Sequence, residues 1–214
     1  MNLQLPCELA ACLALPLPGW SAQARFQPEL SFGRHRGPAP ARARPAAVLV
    51  LLYPHRGSWH IPLILRPAHM LDHANQVSLP GGVIETGESS RQAALREFTE
   101  ELGAAADGVE LLGRLSELYL FASDYRVLPW VGAVDVPPQW NPSAHEVQRV
   151  LEVPLVHLLD PANVGSFERG QRGVAHTAPC YRFESERIWG ATSMILAELV
   201  EILVRLPSSS VLSP

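Results

Sequence analysis

The sequence predicts an α/β domain built on a mixed sheet, and three observations carry that prediction. First, the continuous apolar run AAVLVLLY (46–53) is followed, after the turn HRG (55–57), by the strand-like SWHIPLILR (58–66), and the two read as a hairpin. Second, a capped helix with a single apolar stripe stands at about 90–102. Third, further short strand-like segments alternate irregularly with helical patterns, which suits a mixed sheet better than a regular parallel one.

Taken in order, residues 1–45 are rich in Pro, Ala and Arg, and GPAPARARP (37–45) reads as a linker or exposed arm, partly ordered. The domain proper is expected over 46–206, with 207–214 as a C-terminal tail. After the hairpin comes the polar loop PAHMLDHANQ (67–76), and VSLPGG (77–82) then enters a tight Gly-Gly turn. Ser89 with Gln92 three positions on fits a capping box at the start of the helix. Leu95, Phe98 and Leu102 recur as one stripe, and Gly103 stands where a glycine ends a helix. VELLGRL (109–115), ELYLF (117–121) and RVLPWVGAV (126–134) read as strands, as does the short CYRFE (180–184). A short helix is expected around 154–159 and a longer one over 191–206, with Ile195, Leu196, Leu199, Ile202, Leu203 and Leu206 apolar. No internal repeat is visible.

Composition narrows the function classes. The 214 residues are 47% hydrophobic and 18% charged, which is globular rather than disordered composition. A net charge of −4 gives no electrostatic footprint for nucleic acid. All 17 basic residues are Arg, so every cationic contact to a ligand must come from Arg, His or backbone N–H. Cys7, Cys12 and Cys180 form no disulfide framework and lack partners at zinc-site spacing, as expected of reduced thiols in a cytoplasmic protein. The N-terminus has no basic region of the signal-peptide kind. No run reaches the roughly 18–20 apolar residues that span a bilayer; Glu198, Glu201 and Arg205 interrupt the nearest candidate, TSMILAELVEILVRL.

The chemistry is concentrated in REFTEELG (96–103). Glu97, Glu100 and Glu101 share one polar arc of the helix, and like charges at this spacing weaken a helix by about 0.2–0.5 kcal/mol. Alone, such an arc reads as a solvated acidic face. Ala93 and Ala94 lie one turn earlier and leave room for something to approach, and Arg96 can neutralise or orient Glu100. A Gly-Gly turn just before the helix lets backbone approach a phosphate or a metal. Hard oxygen ligands suit Mg2+ or Mn2+, and a divalent cation turns the repulsion into binding. Carboxylates, a divalent ion and a phosphate are the components of metal-assisted hydrolysis.

Gly82 to Ala104, GVIETGESSRQAALREFTEELGA, resembles the Nudix box, G-x5-E-x7-R-E-U-x-E-E-x-G-U with U a bulky aliphatic residue. Gly82, Glu88, Arg96, Glu97, Glu100, Glu101 and Gly103 all stand at the required spacings, while Phe98 and Ala104 depart at the two U positions. The resemblance implies a Nudix-type α/β/α sandwich and hydrolysis of a nucleoside diphosphate linked to a further group. It implies that Glu97 and Glu101 coordinate the metal, with Glu100 joining directly or through water. Arg96 would orient the glutamates, and Glu88 would tie the loop to the helix. The general base would be a box glutamate or an acid on a later loop, for which Glu146 is the best candidate, with a structural role as the alternative.

Flanking residues bear on the substrate. LILRPAHMLDHANQVSLPGG (63–82) is similar to the stretch preceding the box in coenzyme A pyrophosphatases, roughly LLTxRSxxLRxHxGQVxFPGG. Arg66, His73, Gln76, Val77, Pro80, Gly81 and Gly82 match. Leu71 stands where that group has Arg, Asn75 where it has Gly, and Leu79 where it has Phe. Similarity to the group extends over about residues 46–206. The expectation is a pyrophosphatase acting with Mg2+ or Mn2+ on coenzyme A or a derivative, giving 3′,5′-ADP and 4′-phosphopantetheine. Arg66, His73, Arg126 and the Gly81–Gly82 backbone are the candidate substrate contacts; a surface ion pair is the alternative for Arg126, and a role-free loop position for His73. The competing readings are a Nudix hydrolase of ADP-ribose or another nucleoside diphosphate derivative, and a non-catalytic nucleotide-binding protein on the same scaffold. The apolar C-terminal helix is compatible with a homodimer.

Overall fold

The computed structural model describes residues 4–29, 38–70, 73–171, 174–207 and 211. The central strand is β1 (Arg44–His55), which pairs antiparallel with β2 (Ser58–Leu65) and β4 (Gly81–Val83) and parallel with β7 (Tyr125–Ala133). β3 (Val77–Ser78) and β8 (Arg149–Pro154) extend the sheet along β2, while β5 (Glu110–Arg114) and β6 (Leu118–Leu120) pair with β7. The sheet is mixed, as expected. A separate antiparallel sheet is formed by β9 (Val164–Gln171), β10 (Val174–Phe183) and β11 (Glu186–Trp189).

The apolar run of β1 is continuous because both of its faces are covered. Successive side chains point to opposite faces of a strand. Ala47, Leu49 and Leu51 enter a core shared with Ala93, Ala94, Phe98 and Leu102 of α3 (Ser90–Leu102). Ala46, Val50 and Leu52 enter a second core shared with Ile195, Leu196 and Leu199 of α5 (Ala191–Leu203). The sheet is thus held between helices. The short α4 (Leu155–Leu159) follows β8 directly.

The buried stripe of α3 differs from the expected one. Leu95 is only half-buried, whereas Ala93 and Ala94 are fully buried against the sheet. The small side chains therefore let the helix sit close to β1 and do not open space for a ligand. The capping box forms as expected: Ser89 Oγ accepts from the Gln92 amide (3.3 Å), and Gln92 Oε1 accepts from the Ser89 amide (3.0 Å). Gly103 ends the helix at φ 64°.

Residues 4–29 carry α1 (Gln4–Leu13) and α2 (Trp20–Gln23), which pack on β5 and α5. Leu5 and Leu9 are fully buried in the same core as α5, each contributing on the order of 1.5–3 kcal/mol before the cost of ordering the chain. The apolar face of α5 is buried within the chain itself. Among the described residues no helix is long and apolar enough to cross a membrane.

Candidate active site

The site is assembled where α3 crosses the β4 end of β1. Pairing of Val48, Ala47 and Ala46 with Gly81, Gly82 and Val83 brings the Gly-Gly turn beneath the helix. A Cβ on Gly82 would collide with the Glu97 carboxylate as it lies here, so glycine lets that carboxylate rest directly against the turn. The Gly81 amide donates to Glu101 Oε2 at 2.8 Å. Helix and turn are therefore joined through the two glutamates that lie four positions apart.

Arg96 organises the remaining carboxylates. Its Nε and Nη2 donate to the two oxygens of Glu88 at 2.9 and 3.1 Å, a bidentate pair. Nη1 donates to Glu97 Oε1 and to Glu100 Oε2, both at 2.9 Å, and Nη2 also reaches the Val83 carbonyl at 3.1 Å. Glu88 in turn accepts from the Glu85 amide at 3.1 Å. Its hydrogen bonds from Arg96 hold Glu88 below the ordinary carboxylate range. A single guanidinium thus fixes the loop before the helix to the polar arc of the helix.

Glu97 and Glu101 are under different electrostatics. Burial raises Glu97 above its ordinary value, although the Arg96 hydrogen bond opposes that. Glu101 is 4% exposed, and burial pushes it up to about 8 despite the Gly81 amide. The charges of Glu97 and Glu146 push Glu101 further up, and that of Arg66 draws it down. Desolvation thus disfavours the charged form of both carboxylates.

Glu146 is brought in by the connection between β7 and β8. The Asn141 amide donates to Leu102 O and the Ser143 amide to Glu101 O, each at 2.9 Å. These bonds satisfy carbonyls that the end of a helix otherwise leaves open. Gln148 N donates to Leu65 O at 2.8 Å, which fixes the far end of the connection to β2. The exposed Glu146 lies between these anchors, and its charge acts on both Glu97 and Glu101.

Of the residues expected at the site, Gly81, Gly82, Glu88, Arg96, Glu97, Glu100 and Glu101 come together around α3. Glu100 is 55% exposed, and its hydrogen bond is to Arg96. Arg66 follows β2; its amide donates to Gln76 O (3.0 Å) and its carbonyl accepts from Asn75 N (3.2 Å), closing the 67–76 loop. Its Nε is buried and has no hydrogen-bond partner among the described residues. His73 sits on that loop at φ 59°, with Nδ1 3.0 Å from Gln76 Oε1. Arg126 lies on β7 and forms an ion pair with Glu117 at 3.9 Å. Asn75 takes the left-handed conformation at φ 55°, and Leu79 is a buried core residue. Leu71 lies outside the described residues.

Among the described residues, no three His, Cys, Asp or Glu side chains converge tightly enough to hold an ion by themselves. The desolvated pair Glu97 and Glu101 supplies hard oxygen donors. That set fits Mg2+, or Mn2+ with its similar preference for oxygen. Mg2+ characteristically keeps several waters and takes one or two protein carboxylates together with substrate phosphates.

A family profile for the NUDIX domain matches residues 43–169. The chain belongs to the Nudix hydrolase family. Nudix hydrolase 3 of Caenorhabditis elegans is 30% identical over 173 residues, covering 73% of this chain and 72% of the relative. The uncharacterized Nudix hydrolase NudL of Salmonella paratyphi B is 34% identical over 157 residues, covering 73% of this chain and 81% of the relative. A solved Nudix hydrolase from M. smegmatis, RenU, superposes with a TM-score of 0.55 at 17% identity, over 77% of this chain and 88% of that one, and so shares the fold. Nudix hydrolases generally use divalent metal ions.

Proposed function

We propose that this Nudix hydrolase cleaves the pyrophosphate bond of a nucleoside diphosphate derivative in the presence of Mg2+ or Mn2+. Its proposed substrate is coenzyme A or a derivative, giving 3′,5′-ADP and 4′-phosphopantetheine. The observation that carries the reaction class is the desolvated Glu97–Glu101 pair facing the Gly81–Gly82 turn. Both glutamates are pushed above the ordinary carboxylate range, as expected of groups that a cation would complete. The substrate rests on the resemblance of residues 63–82 to coenzyme A pyrophosphatases. Two of the three departures there are conservative in structural terms. Asn tolerates the left-handed conformation that Asn75 adopts, and Leu79 fills an apolar core position as Phe would.

Glu97 and Glu101 would hold the divalent ion, which when bound acidifies water and offsets charge building on the phosphate oxygens. Arg96 keeps the Glu97 and Glu100 carboxylates oriented through its two Nη1 bonds. Arg66 would bring its guanidinium to a phosphate oxygen, a charge-assisted contact. The attacking water gives its oxygen to one phosphorus and its proton to a carboxylate, while the bridging oxygen leaves with the other phosphate. Glu146, exposed on the connection anchored to the end of α3, is our candidate to receive that proton, its charge acting on both Glu97 and Glu101.

The test is incubation of the full chain with Mg2+ or Mn2+ and coenzyme A, acyl-coenzyme A, ADP-ribose, NADH and diadenosine polyphosphates, with products identified by chromatography. Release of 3′,5′-ADP from coenzyme A is expected. Rapid cleavage of ADP-ribose with no turnover of coenzyme A would overturn the substrate, and no cleavage of any compound would overturn the reaction class.

A further inference from the structure

The connection between β7 and β8 carries Trp140 within PPQWNP, just before the two amides that cap α3. The Trp140 indole N–H donates to Glu152 Oε2 at 3.0 Å, and the Tyr53 hydroxyl donates to the same oxygen at 2.7 Å. A partly buried indole needs an acceptor, and a carboxylate is the strongest available. The Trp140 ring meets Tyr53 edge-on at 5.4 Å and Phe98 edge-on at 6.3 Å. Phe98 is the box position at which this chain has an aromatic residue in place of an aliphatic one. Its ring thus joins the buried face of α3 to the connection, one residue from Glu97. Val147, 4% exposed, enters the same core as Phe98.

These contacts form one continuous path. It runs from Glu152 on β8 to Trp140, to the Asn141 and Ser143 amides, and so to the carbonyls of Leu102 and Glu101. Glu146 follows three residues after Ser143, and its own amide donates to Ser143 O at 3.1 Å. Trp140 thus stands at the start of the segment that carries Glu146, whose other end is held by the Gln148–Leu65 bond. Among the described residues the Glu146 side chain forms no ion pair.

We infer that Trp140, anchored on Glu152, is a positioning residue that holds the connection carrying Glu146 against the end of α3 that carries Glu101. The inference rests on the proposed pyrophosphatase function for its kinetic consequence, and on the hydrogen-bonded path alone for its structural one. Trp140→Phe keeps the ring and deletes the N–H donor. Glu152→Leu deletes the acceptor. Glu152→Gln is the conservative variant: both bonds fall on one oxygen, which the amide oxygen of Gln can replace.

Two readouts test it on the full chain. The first is hydrogen exchange at the Asn141 and Ser143 amides, which needs no substrate. Trp140→Phe and Glu152→Leu are expected to raise exchange there about tenfold, with the exchange of the β1 amides unchanged and Glu152→Gln close to the parent protein. The second is kinetic, with Mg2+ and the panel compound turned over fastest. Trp140→Phe is expected to lower kcat about tenfold with KM unchanged, and that effect is expected to vanish in a Glu146→Gln background because coupled residues are not additive. Parent-like exchange in both Trp140→Phe and Glu152→Leu would overturn the inference, as would a kcat loss that persists at full size in Glu146→Gln. Absence of turnover by the parent protein would count against the proposed function instead, and exchange alone would then decide the positioning role.

Discussion

Glu101 and Glu198 are both buried glutamates on helices, and they are treated in opposite ways. Glu198, on α5, is fully buried and surrounded by donors. Its Oε1 accepts from the Gly19 amide (2.9 Å) and the Ser116 hydroxyl (2.6 Å); its Oε2 accepts from Gln23 Nε2 (3.0 Å) and the Ser116 amide (3.1 Å). Those four bonds fill the acceptor capacity of a carboxylate. They also pin α2 and the β5–β6 connection to α5. Among the described residues Glu101 receives one hydrogen bond, from Gly81, and the charges of Glu97 and Glu146 act on it. A buried acid that is fully satisfied holds a fold together. A buried acid left short of partners marks a candidate binding position.

The same substitution at the two sites should therefore have opposite effects, and the largest is kinetic. Glu101→Gln is expected to lower turnover by on the order of a thousandfold or more, because the ion would lose a ligand and with it several kcal/mol of charge stabilisation. Its thermal stability should be equal to or above that of the parent, since a desolvated carboxyl is removed. Steady-state kinetics beside thermal melting reads both; a folded variant with parent turnover would break the comparison from the Glu101 side. Glu198→Gln is expected to leave kcat per folded molecule unchanged and to cost roughly 3 kcal/mol of stability, because the amide NH2 faces donors where an acceptor was needed. Chemical denaturation measures this, and a variant as stable as the parent would show that the four bonds do not anchor α2.

A smaller effect concerns pH. The folded value for Glu101, about 8, lies above the ordinary carboxyl value of 4.5. Between these values the folded protein keeps a proton that the unfolded chain has released, so this group makes the metal-free protein less stable as pH rises through that window. Melting temperatures in chelator should fall from pH 5 towards pH 8 more steeply for the parent than for Glu101→Gln, and saturating Mg2+ should reduce the fall. Identical slopes for parent and variant would remove Glu101 as the cause.

What could be read from the sequence was what is encoded locally. The capping box, the αL glycine at 103 and the spacing of Glu88, Arg96, Glu97 and Glu101 are short-range patterns, and the structure builds them with the expected hydrogen bonds. β1 was legible because both its faces are buried, giving an unbroken apolar run. β8, β9 and β11 were not, because charged residues interrupt each apolar run: Arg149 and Glu152 in β8, Glu168 and Arg169 in β9, Glu186 and Arg187 in β11. α1 carries Leu5, Leu9 and Leu13 on one face, but Pro6 and the Pro-rich stretch after it hide the helical period. At the site, the orphaned Arg66 Nε, the anchoring of the Glu146 connection on α3 and the Trp140–Glu152 bond are contacts between residues distant in sequence. No spacing rule reports them. Arg126, expected as a ligand contact or an ion-pair member, is seen paired with Glu117.

The central claim is that Glu101 is left underpartnered so that it can hold a divalent cation. Mn2+ binding to the full chain, followed by electron paramagnetic resonance of the free ion, tests this without reference to any substrate. The account predicts saturable binding by the parent protein, weakened about tenfold or more by Glu101→Gln and unchanged by Glu198→Gln. Equal Mn2+ affinity in the parent and Glu101→Gln would contradict it.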